Sequence, residues 1–213
     1  MLTKLQSFAA AGLAAASFIS TGALAAIADP LVPLNVPVED RTQEMWSARW
    51  WMWAASFRNG TGPISDLTGD YCNMRQEGGV FFLAGTFGSR PVHRTCTVPA
   101  GKHLFFPLVN YIVMPDGASP CEGLVSQARA ITNEPGELVL EIDGTRVPGL
   151  EKRRIATECF NVNAFDRPGP KMMAASNGYW AMVKPLAPGK HTVRLGGTLP
   201  SLQQNVTYTL QVE

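Results

Sequence analysis

The last part of the chain alternates between apolar and polar side chains at every second position. Between residues 204 and 212 the apolar members of this pattern are Val206, Tyr208, Leu210 and Val212. Residues 191–195 repeat the pattern after a Pro-Gly turn, and an apolar run over residues 179–183 precedes both. A period of two turns one face of a strand towards a core and the other towards water. The sequence therefore predicts three consecutive strands here, within a mainly β fold: an antiparallel, jelly-roll-like β-sandwich.

Earlier segments add further predicted strands. Residues 80–83 form a continuous apolar run, which is short enough for a strand buried on both faces. Residues 92–98 alternate, and the turn at 99–101 leads into 103–113, so these two strands are predicted to pair as a hairpin. Residues 138–142 alternate before Asp143-Gly144, a dipeptide typical of a type I′ hairpin turn. Residues 163–178 contain two prolines and two glycines and are predicted to form a long loop.

Two helices are predicted, and the first is rich in tryptophan. Trp46, Trp50 and Trp53 follow one stripe of a helix over residues 40–57, with Asp40 as its cap and Gln43 reaching back to that cap. Other apolar residues surround the stripe, so we expect this helix to be buried on most sides. Trp51 lies off the stripe and is the tryptophan expected to be exposed, as a candidate binding residue. A short second helix is predicted after Ser119, with Ser119 as its cap and Pro120 at its first position.

The first 28 residues have the pattern of a cleaved export signal. Lys4 is the only charged residue before Asp29, an apolar segment follows it, and small residues stand at 23–28 where signal peptidase needs them. No later segment is long and apolar enough to span a membrane, so the mature chain is predicted to be secreted or periplasmic without a transmembrane segment. Residues 29–39 are predicted to be an extended lead-in, and residues 40–213 a single β-sandwich domain.

All four cysteines follow the predicted signal. An even count in an exported chain indicates two disulfides, and four cysteines allow three connectivities. The sequential pairing, Cys72 with Cys96 and Cys121 with Cys159, is the favoured one. The spacings match neither a zinc site nor a redox motif, so no metal and no cofactor are expected.

The balance of basic and acidic residues argues against nucleic acid as a partner. Without Lys4 the chain has 17 basic and 17 acidic residues. A protein that binds nucleic acid through its phosphates carries a basic surface, and the only basic cluster here is the run at residues 152–154. We therefore expect no nucleic-acid partner.

Several segments together resemble a family of exported bacterial proteins to which no activity is assigned. The resemblance rests on W-W-x-W at residues 50–53, D-L-T-G-D-Y-C at 66–72 and F-F-L-A-G-T-F-G at 81–88. It continues with R-T-C-T-V-P-A-G-K at 94–102, L-F-F-P-L-V-N at 104–110, G-Y-W-A-M-V-K-P-L at 178–186 and P-G-K-H-T-V-R at 188–194. It covers most of the mature chain and implies export and a mainly β fold, but it provides no catalytic residue.

The three histidines are the candidate catalytic residues. His93 and His191 lie in predicted strands and His103 begins one; His191, on the apolar phase of its strand, is expected at the interior or rim with a lowered pKa. No cysteine is followed closely by the His and Met of a blue-copper site, and no G-x-S-x-G motif is present. Asp66 and Asp70 are candidate ligand-binding carboxylates, but the acid spacing is not that of an EF-hand, and an Asx turn capped by Asp66 is the simpler interpretation.

The sequence favours a non-catalytic binding or envelope-associated protein, whose ligand would be a glycan or another envelope component. Its recognition surface is predicted in the loops near residues 66–70, 110–119 and 163–177, which include the candidate residue Asn110. The alternative is a small secreted hydrolase that uses histidine and carboxylate side chains of the same loops. A histidine within hydrogen-bond reach of a carboxylate inside a concave pocket would favour the hydrolase.

Overall fold

A computed structural model describes residues 29–57, 60–88, 90–115, 120–164 and 170–213; the predicted export signal lies outside them. The described residues contain two α-helices, Gln43–Ala55 (α1) and Cys121–Ile131 (α2). They also contain ten strands: Val80–Phe82 (β1), Val92–Val98 (β2), His103–Val113 (β3), Leu138–Ile142 (β4), Thr145–Arg146 (β5), Arg154–Ala156 (β6), Phe160–Asn161 (β7), Met173–Val183 (β8), Gly189–Leu199 (β9) and Leu202–Val212 (β10). Short 3₁₀ turns occupy Leu150–Lys152 and Val162–Ala164.

The strands form two sheets, which confirms the predicted β-sandwich. The first sheet has the order β1-β3-β8-β6, with β7 also paired to β8, and the second has the order β2-β10-β9-β4-β5. Most neighbours are antiparallel, but β1 runs parallel to β3 and β2 runs parallel to β10. The chain passes between the sheets several times, so neighbours along the sequence are often not neighbours in a sheet.

The burial patterns explain why some strands alternate and others are apolar throughout. In the second sheet, β2 and β10 bury every second residue, because one face packs on the first sheet and the other meets solvent. The first sheet is buried on both faces over most of β3 and β8. Phe106 of β3 packs in the core between the sheets, whereas its neighbour Phe105 packs with the tryptophans of α1.

Helix α1 covers the outer face of the first sheet, which makes the molecule three layers thick at this point. Trp46, Trp50 and Trp53 are buried against β1, β3 and β8, as the apolar stripe predicted. The predicted cap is wrong: Thr42 is the N-cap and its Oγ1 accepts a hydrogen bond from Met45 N at 3.2 Å. Asp40 instead has a φ of 57° in a turn before the helix.

Gln43 does not return to the helix cap as predicted, because its side chain holds the segment before the helix. Its Nε2 donates to the carbonyl oxygens of Val32 and Pro33, at 3.2 and 2.9 Å. Its Oε1 accepts a hydrogen bond from the buried Arg153 at 2.7 Å. Residues 30–32 also pair with the end of β8, through Leu31 and Val183. The lead-in is therefore attached to both the helix and the first sheet.

Helix α2 packs against β8 and β3 through Leu124 and Ala128. It begins at Cys121, one residue later than predicted, with Pro120 as its N-cap and no side-chain hydrogen bond at that cap. Ser119, the predicted cap, lies outside the described residues. Neither helix in the described part of the chain has the length and hydropathy needed to span a bilayer.

Two strand predictions are wrong. β2 and β3 do not form a hairpin: β2 pairs with β10 in the second sheet, and β3 pairs with β1 and β8 in the first. The predicted loop over residues 163–178 is too long, because β8 already begins at Met173. By contrast, Asp143 and Gly144 have φ values of 50° and 77° and join β4 to β5, as the type I′ turn predicted.

Both predicted disulfides are present. Cys72–Cys96 joins the segment before β1 to β2, and Cys121–Cys159 joins the first residue of α2 to the segment before β7. No cysteine in the chain is free. The sequential pairing is therefore confirmed.

Candidate binding cleft

Helix α1 and the loops beside it enclose a cleft made of two adjoining pockets, which we call the Trp51 cleft. Its inner pocket has a volume of about 320 Å³ and its outer pocket about 660 Å³. The walls shared by both pockets are Trp51, Ile64, Phe87 and Ile112. The inner pocket adds mainly Trp50, Thr86, Asn110, Tyr111, Leu202 and Gln204, and the outer pocket adds mainly Ala54, Phe57, Met114, Val162, Asn163 and Met172.

Trp51 stands where the two pockets meet. The prediction that it is the exposed tryptophan is wrong, because only 7% of its surface is accessible. Its Nε1 donates to Ser176 Oγ at 2.6 Å, and its ring meets that of Trp50 edge to face at 5.1 Å. The indole is thus fixed on both sides, and its remaining accessible surface faces the cleft.

Asn110 lies in the wall of the inner pocket and has a buried side-chain nitrogen that is unpaired within the described part of the chain. The residue lies within β3, not in the predicted loop, and is 7% exposed. Its side-chain nitrogen has no hydrogen-bond partner among the described residues. Buried polar atoms are usually paired, so this nitrogen is an exception, and because it has almost no accessible surface it lies within the wall and is not presented to the cavity.

A glycine allows the backbone to reach this position. Asn110 pairs with Gly178 of β8, just after an irregularity in the register between Pro107 and Val109. A Cβ at Gly178 would lie 2.5 Å from Asn110 Cα and from the carbonyl oxygen of Val109. Any larger residue at 178 would separate the two strands and displace Asn110.

The buried Arg94 holds the loops that form the cleft wall. It lies on the inward phase of β2 and is 2% exposed. Its guanidinium donates to the carbonyl oxygens of Asp66 at 2.7 Å and Ile64 at 3.2 Å, before the first loop turns. It also donates to the carbonyl oxygens of Ala84 and Gly85, at 2.7 and 3.1 Å, which follow β1. One cation therefore joins the two segments that carry Ile64 and Phe87.

Of the predicted binding carboxylates, Asp66 is committed to its own loop. Its carboxylate accepts hydrogen bonds from the backbone N–H groups of Thr68, Gly69 and Tyr71, at 2.8, 3.0 and 2.9 Å. Burial acts to raise the pKa of Asp66, but these backbone hydrogen bonds together bring it below its ordinary value. The Asx turn is confirmed. Asp70 is exposed and accepts a hydrogen bond from Thr68 Oγ1, and neither carboxylate lines the cleft.

The three candidate histidines do not come together. His93 is exposed on β2, His103 begins β3 in the other sheet, and His191 lies on β9. Burial lowers the pKa of His103, although the nearby Glu39 acts in the opposite direction. None of the three lines the Trp51 cleft. In the part of the chain that the structure describes, no group of His, Cys, Asp or Glu is arranged to hold a metal ion.

His191 contacts a carboxylate, but at the rim of the second sheet. Its Nδ1 lies 2.7 Å from Asp143 Oδ2, and its Nε2 lies 2.8 Å from the carbonyl oxygen of Ala187. The hydrogen bond to Asp143 raises the pKa of His191 above its ordinary value, because it outweighs the opposing effect of burial. The prediction that the pKa of His191 is lowered is therefore wrong. The imidazole ring lies at the rim of the sheet, where both of its nitrogens contact oxygen atoms.

The polar side chains that line the cleft are uncharged. Among the described lining residues of the two pockets there is no Asp, Glu, His, Lys, Arg or Cys. The polar groups are amides and hydroxyls, of which Asn110, Thr86, Tyr111 and Ser201 belong to the inner pocket. No family model, curated protein or solved structure matches this chain.

Sequence reasoning named two of the residues that line the cleft, Trp51 and Asn110. It missed the lining residues Ile64 and Phe87, and it missed Arg94, which holds their loops in place without lining the cleft. A signal for Arg94 was present, since it shares the inward phase of β2 with Val92 and Cys96. Phe87 stands between small residues directly after a buried strand, which places an aromatic ring in a surface loop. Ile64 carries no such pattern.

Proposed function

We propose that this chain is an exported, non-catalytic binding protein whose ligand occupies the Trp51 cleft. One observation carries the proposal: the cleft is lined by aromatic and aliphatic side chains, a few amides and hydroxyls, and no charged group among the described residues. Its two pockets, of about 320 and 660 Å³, have the size and apolar character of small-molecule sites in general.

The alternative, a small secreted hydrolase, has less support. Hydrolysis by general acid–base catalysis needs a titratable side chain within reach of the bound substrate. Among the described residues, the histidine that contacts a carboxylate is His191, which is hydrogen-bonded to Asp143. This pair lies outside the cleft, and both ring nitrogens of His191 are engaged. The cleft itself contributes groups that bind and orient.

Export is part of the proposal and is supported by the cysteines. Both disulfides tie together segments distant in sequence, and such bridges persist in oxidising compartments such as the periplasm. The resemblance to exported bacterial proteins agrees with this assignment. Association with the cell envelope would bring the cleft close to apolar and amphipathic envelope components.

The experiment uses the uncharged fluorescent probe N-phenyl-1-naphthylamine with protein recovered from the exported fraction. We expect saturable binding with a rise in fluorescence as the probe leaves water. Met114→Ala removes a side chain of the outer pocket that is 51% exposed, and we expect it to weaken binding about three- to tenfold. Met45→Ala is the matched control, since Met45 is 50% exposed on α1 but does not line the cleft.

The proposal fails if probe binding does not saturate, or if Met45→Ala and Met114→Ala weaken it equally. A thermal melt of each variant accompanies the titration. Equal melting temperatures show that a change in affinity arises in the cleft and not from unfolding.

A further inference from the structure

We infer that the ligand of the Trp51 cleft is an anionic amphiphile, whose apolar chain lies in the cleft and whose carboxylate or phosphate head lies at Arg90, in a third pocket that adjoins the cleft. This inference rests on the proposed function, because it names the ligand class of the same site. It depends on features outside the cleft: the position of the third pocket, its positive charge, and the exposed apolar side chains that border it.

The third pocket, which we call the Arg90 pocket, lies beside the loop that carries Phe87 and has a volume of about 520 Å³. It shares Ile64 and Phe87 with both pockets of the cleft. Leu67, Arg90 and His93 line this pocket but not the cleft. The three pockets therefore meet at the same two side chains, and a ligand longer than the cleft extends past these side chains into the Arg90 pocket.

Arg90 gives this pocket a positive charge. Its side chain is exposed and forms no ion pair with another described residue. The described lining of the pocket contains no Asp or Glu, and the exposed His93 adds an imidazole ring. A guanidinium presents its N–H groups in a planar fork that matches a carboxylate or a phosphate. The Arg90 pocket therefore favours an anionic group over a cationic one.

Hydration determines which part of the ligand enters the cleft. An ionised group inside the cleft loses its water and meets no opposite charge among the described lining residues. At the exposed Arg90, the same group contacts a cation and keeps part of its hydration. The head of an anionic amphiphile is therefore held in the Arg90 pocket, and only its apolar chain enters the cleft.

Two exposed apolar side chains border the Arg90 pocket. Phe87 is 74% exposed and Leu67 is 66% exposed, although both are large apolar residues. Phe87 also lines the cleft, whereas Leu67 does not. A chain that runs from the cleft to Arg90 contacts both side chains, and it buries apolar surface that a ligand confined to the cleft leaves in water.

Three probes with the same ten-carbon chain test the charge of the head by displacing N-phenyl-1-naphthylamine. They are decanoate and decyl phosphate, which are anionic, and decylammonium, which is cationic, all at pH 8, low ionic strength and concentrations below micelle formation. We expect the better anion to bind about two- to fivefold more tightly than decylammonium, because attraction between exposed charges is weak. The order of the two anions identifies the head group. High salt should reduce the difference between anion and cation, since it screens exposed charges.

Variants of Arg90 then assign the preference to this side chain. Arg90→Gln should reduce the preference for the anion over decylammonium, and Arg90→Glu should reverse it. Arg146→Gln and Arg146→Glu are the matched controls, since Arg146 is also exposed but lies on β5 and lines none of the three pockets. These controls change the net charge of the protein equally and should keep the preference. Thermal melts confirm that all four variants are folded.

The outcomes separate this inference from the proposed function. If N-phenyl-1-naphthylamine itself does not bind saturably, the cleft is not a binding site and both fail. If this probe binds but decylammonium displaces it as well as the anions do, only the inference is overturned. A shift in preference of the same size in Arg146→Glu and Arg90→Glu would also overturn the inference alone, because the overall charge of the protein and not the Arg90 pocket would then select the ligand.

Discussion

Arg94 shows how a single buried side chain can shape a cleft that it does not line. Four backbone carbonyl oxygens and the hydroxyl of Tyr208 accept hydrogen bonds from its guanidinium. No carboxylate in the described part of the chain forms a salt bridge with it. The charge is solvated by the protein's own carbonyls, and in return it fixes the positions of the two loops that carry them.

We therefore expect Arg94→Met to destabilise the fold strongly. The substitution leaves several buried carbonyl oxygens without a donor, and each such group costs about 1–3 kcal/mol, so the total loss should be at least about 3 kcal/mol. Urea unfolding measures it. Arg146→Met is the control, since Arg146 forms an exposed ion pair with Glu137, and exposed pairs contribute at most about 1 kcal/mol. Equal losses in the two variants would contradict this role for Arg94.

The hydrogen bond between His191 and Asp143 should make the free energy of unfolding depend on pH. The hydrogen bond to Asp143 raises the pKa of His191, so the folded state holds its proton more tightly than the unfolded state does. This contribution to stability is fully present below the unfolded pKa of about 6.5 and is lost as pH rises through the higher folded pKa. We expect NMR titration of the ring to show the raised pKa directly.

Two variants check this assignment by urea unfolding across the same pH range. His191→Gln should remove the decline in stability above pH 6.5 that is due to this residue. His93→Gln should leave it in place, since His93 is an exposed residue of β2. A folded-state pKa of His191 below 6.5 would contradict the geometry of the hydrogen bond.

At the scale of residues, the sequence identified side chains but not their surroundings. Trp51 and Asn110 could be named as binding candidates because aromatic and amide groups recur in sites of many kinds. Whether each is exposed depends on the segments that pack around it. Trp51 is buried within a cluster that includes residues of β3 and β8, and its N–H donates to Ser176 of β8. Nothing in residues 40–57 indicates these contacts.

At the scale of elements, α1 is a layer of the core. Trp50 is 2% exposed, donates from Nε1 to the carbonyl oxygen of Leu83 at 2.9 Å, and meets Trp180 of β8 edge to face at 5.5 Å. We expect Trp50→Ala to cost roughly 3–5 kcal/mol, because it leaves a large cavity and an unsatisfied carbonyl. Guanidinium unfolding with an unchanged m-value would measure this as a loss of stability.

Met45→Ala serves again as the comparison, since Met45 projects into solvent from the same helix. Its effect should be within about 0.5 kcal/mol. A Trp50→Ala protein with unchanged stability and lost probe binding would instead assign Trp50 to ligand recognition alone.

Periodicity predicted most elements but not their partners. The alternation of β2, β9 and β10 and the Asp143-Gly144 turn are local signals, and all four are present as predicted. The pairing of β2 is not local: Val92 is opposite Val206, in the last strand of the chain. The turn after β2 carries the chain from the second sheet to the first, and Ala100 N donates to the carbonyl oxygen of Glu213 there. A short turn that contains glycine can either join two paired strands or lead from one sheet to the other. The local sequence therefore does not distinguish a hairpin from the crossing that the structure shows.

β8 shows a second limit of periodicity. After the exposed Met173, residues 174–178 consist of small and polar side chains that give no alternation, and Gly178 is typical of a loop. In the structure these residues are buried between α1, α2 and the neighbouring strands. Small side chains are required there because the layers approach closely, as the contacts of Gly178 show. The need for small side chains at these positions depends on the distance between packed layers, and the local sequence does not contain that information.

At the scale of the whole molecule, the two disulfides lie in different environments. Cys72 and Cys96 are buried in the core between the sheets, where they attach the loop shaped by Asp66 to β2. Cys121 is exposed at the start of α2, and Cys159 is half-buried beside it. The two bridges close loops of similar length, with sequence separations of 24 and 38 residues, so chain entropy alone gives each about 3–4 kcal/mol of stabilisation.

The difference in exposure predicts an order of reduction. Thiol–disulfide exchange requires a thiolate to reach one sulfur of the bridge, so access controls the rate in the folded state. We expect low concentrations of dithiothreitol to reduce Cys121–Cys159 first, while Cys72–Cys96 is reduced only when the core opens. Alkylation of the released thiols, followed by peptide mass spectrometry, identifies the bridge at each time point, and the untreated exported protein should contain no alkylated cysteine. In urea all four cysteines should become labelled together, because unfolding exposes both bridges. Labelling of Cys72 and Cys96 before Cys121 in the absence of urea would show that the core opens more readily than the α2 end, and would contradict the buried position of the first bridge.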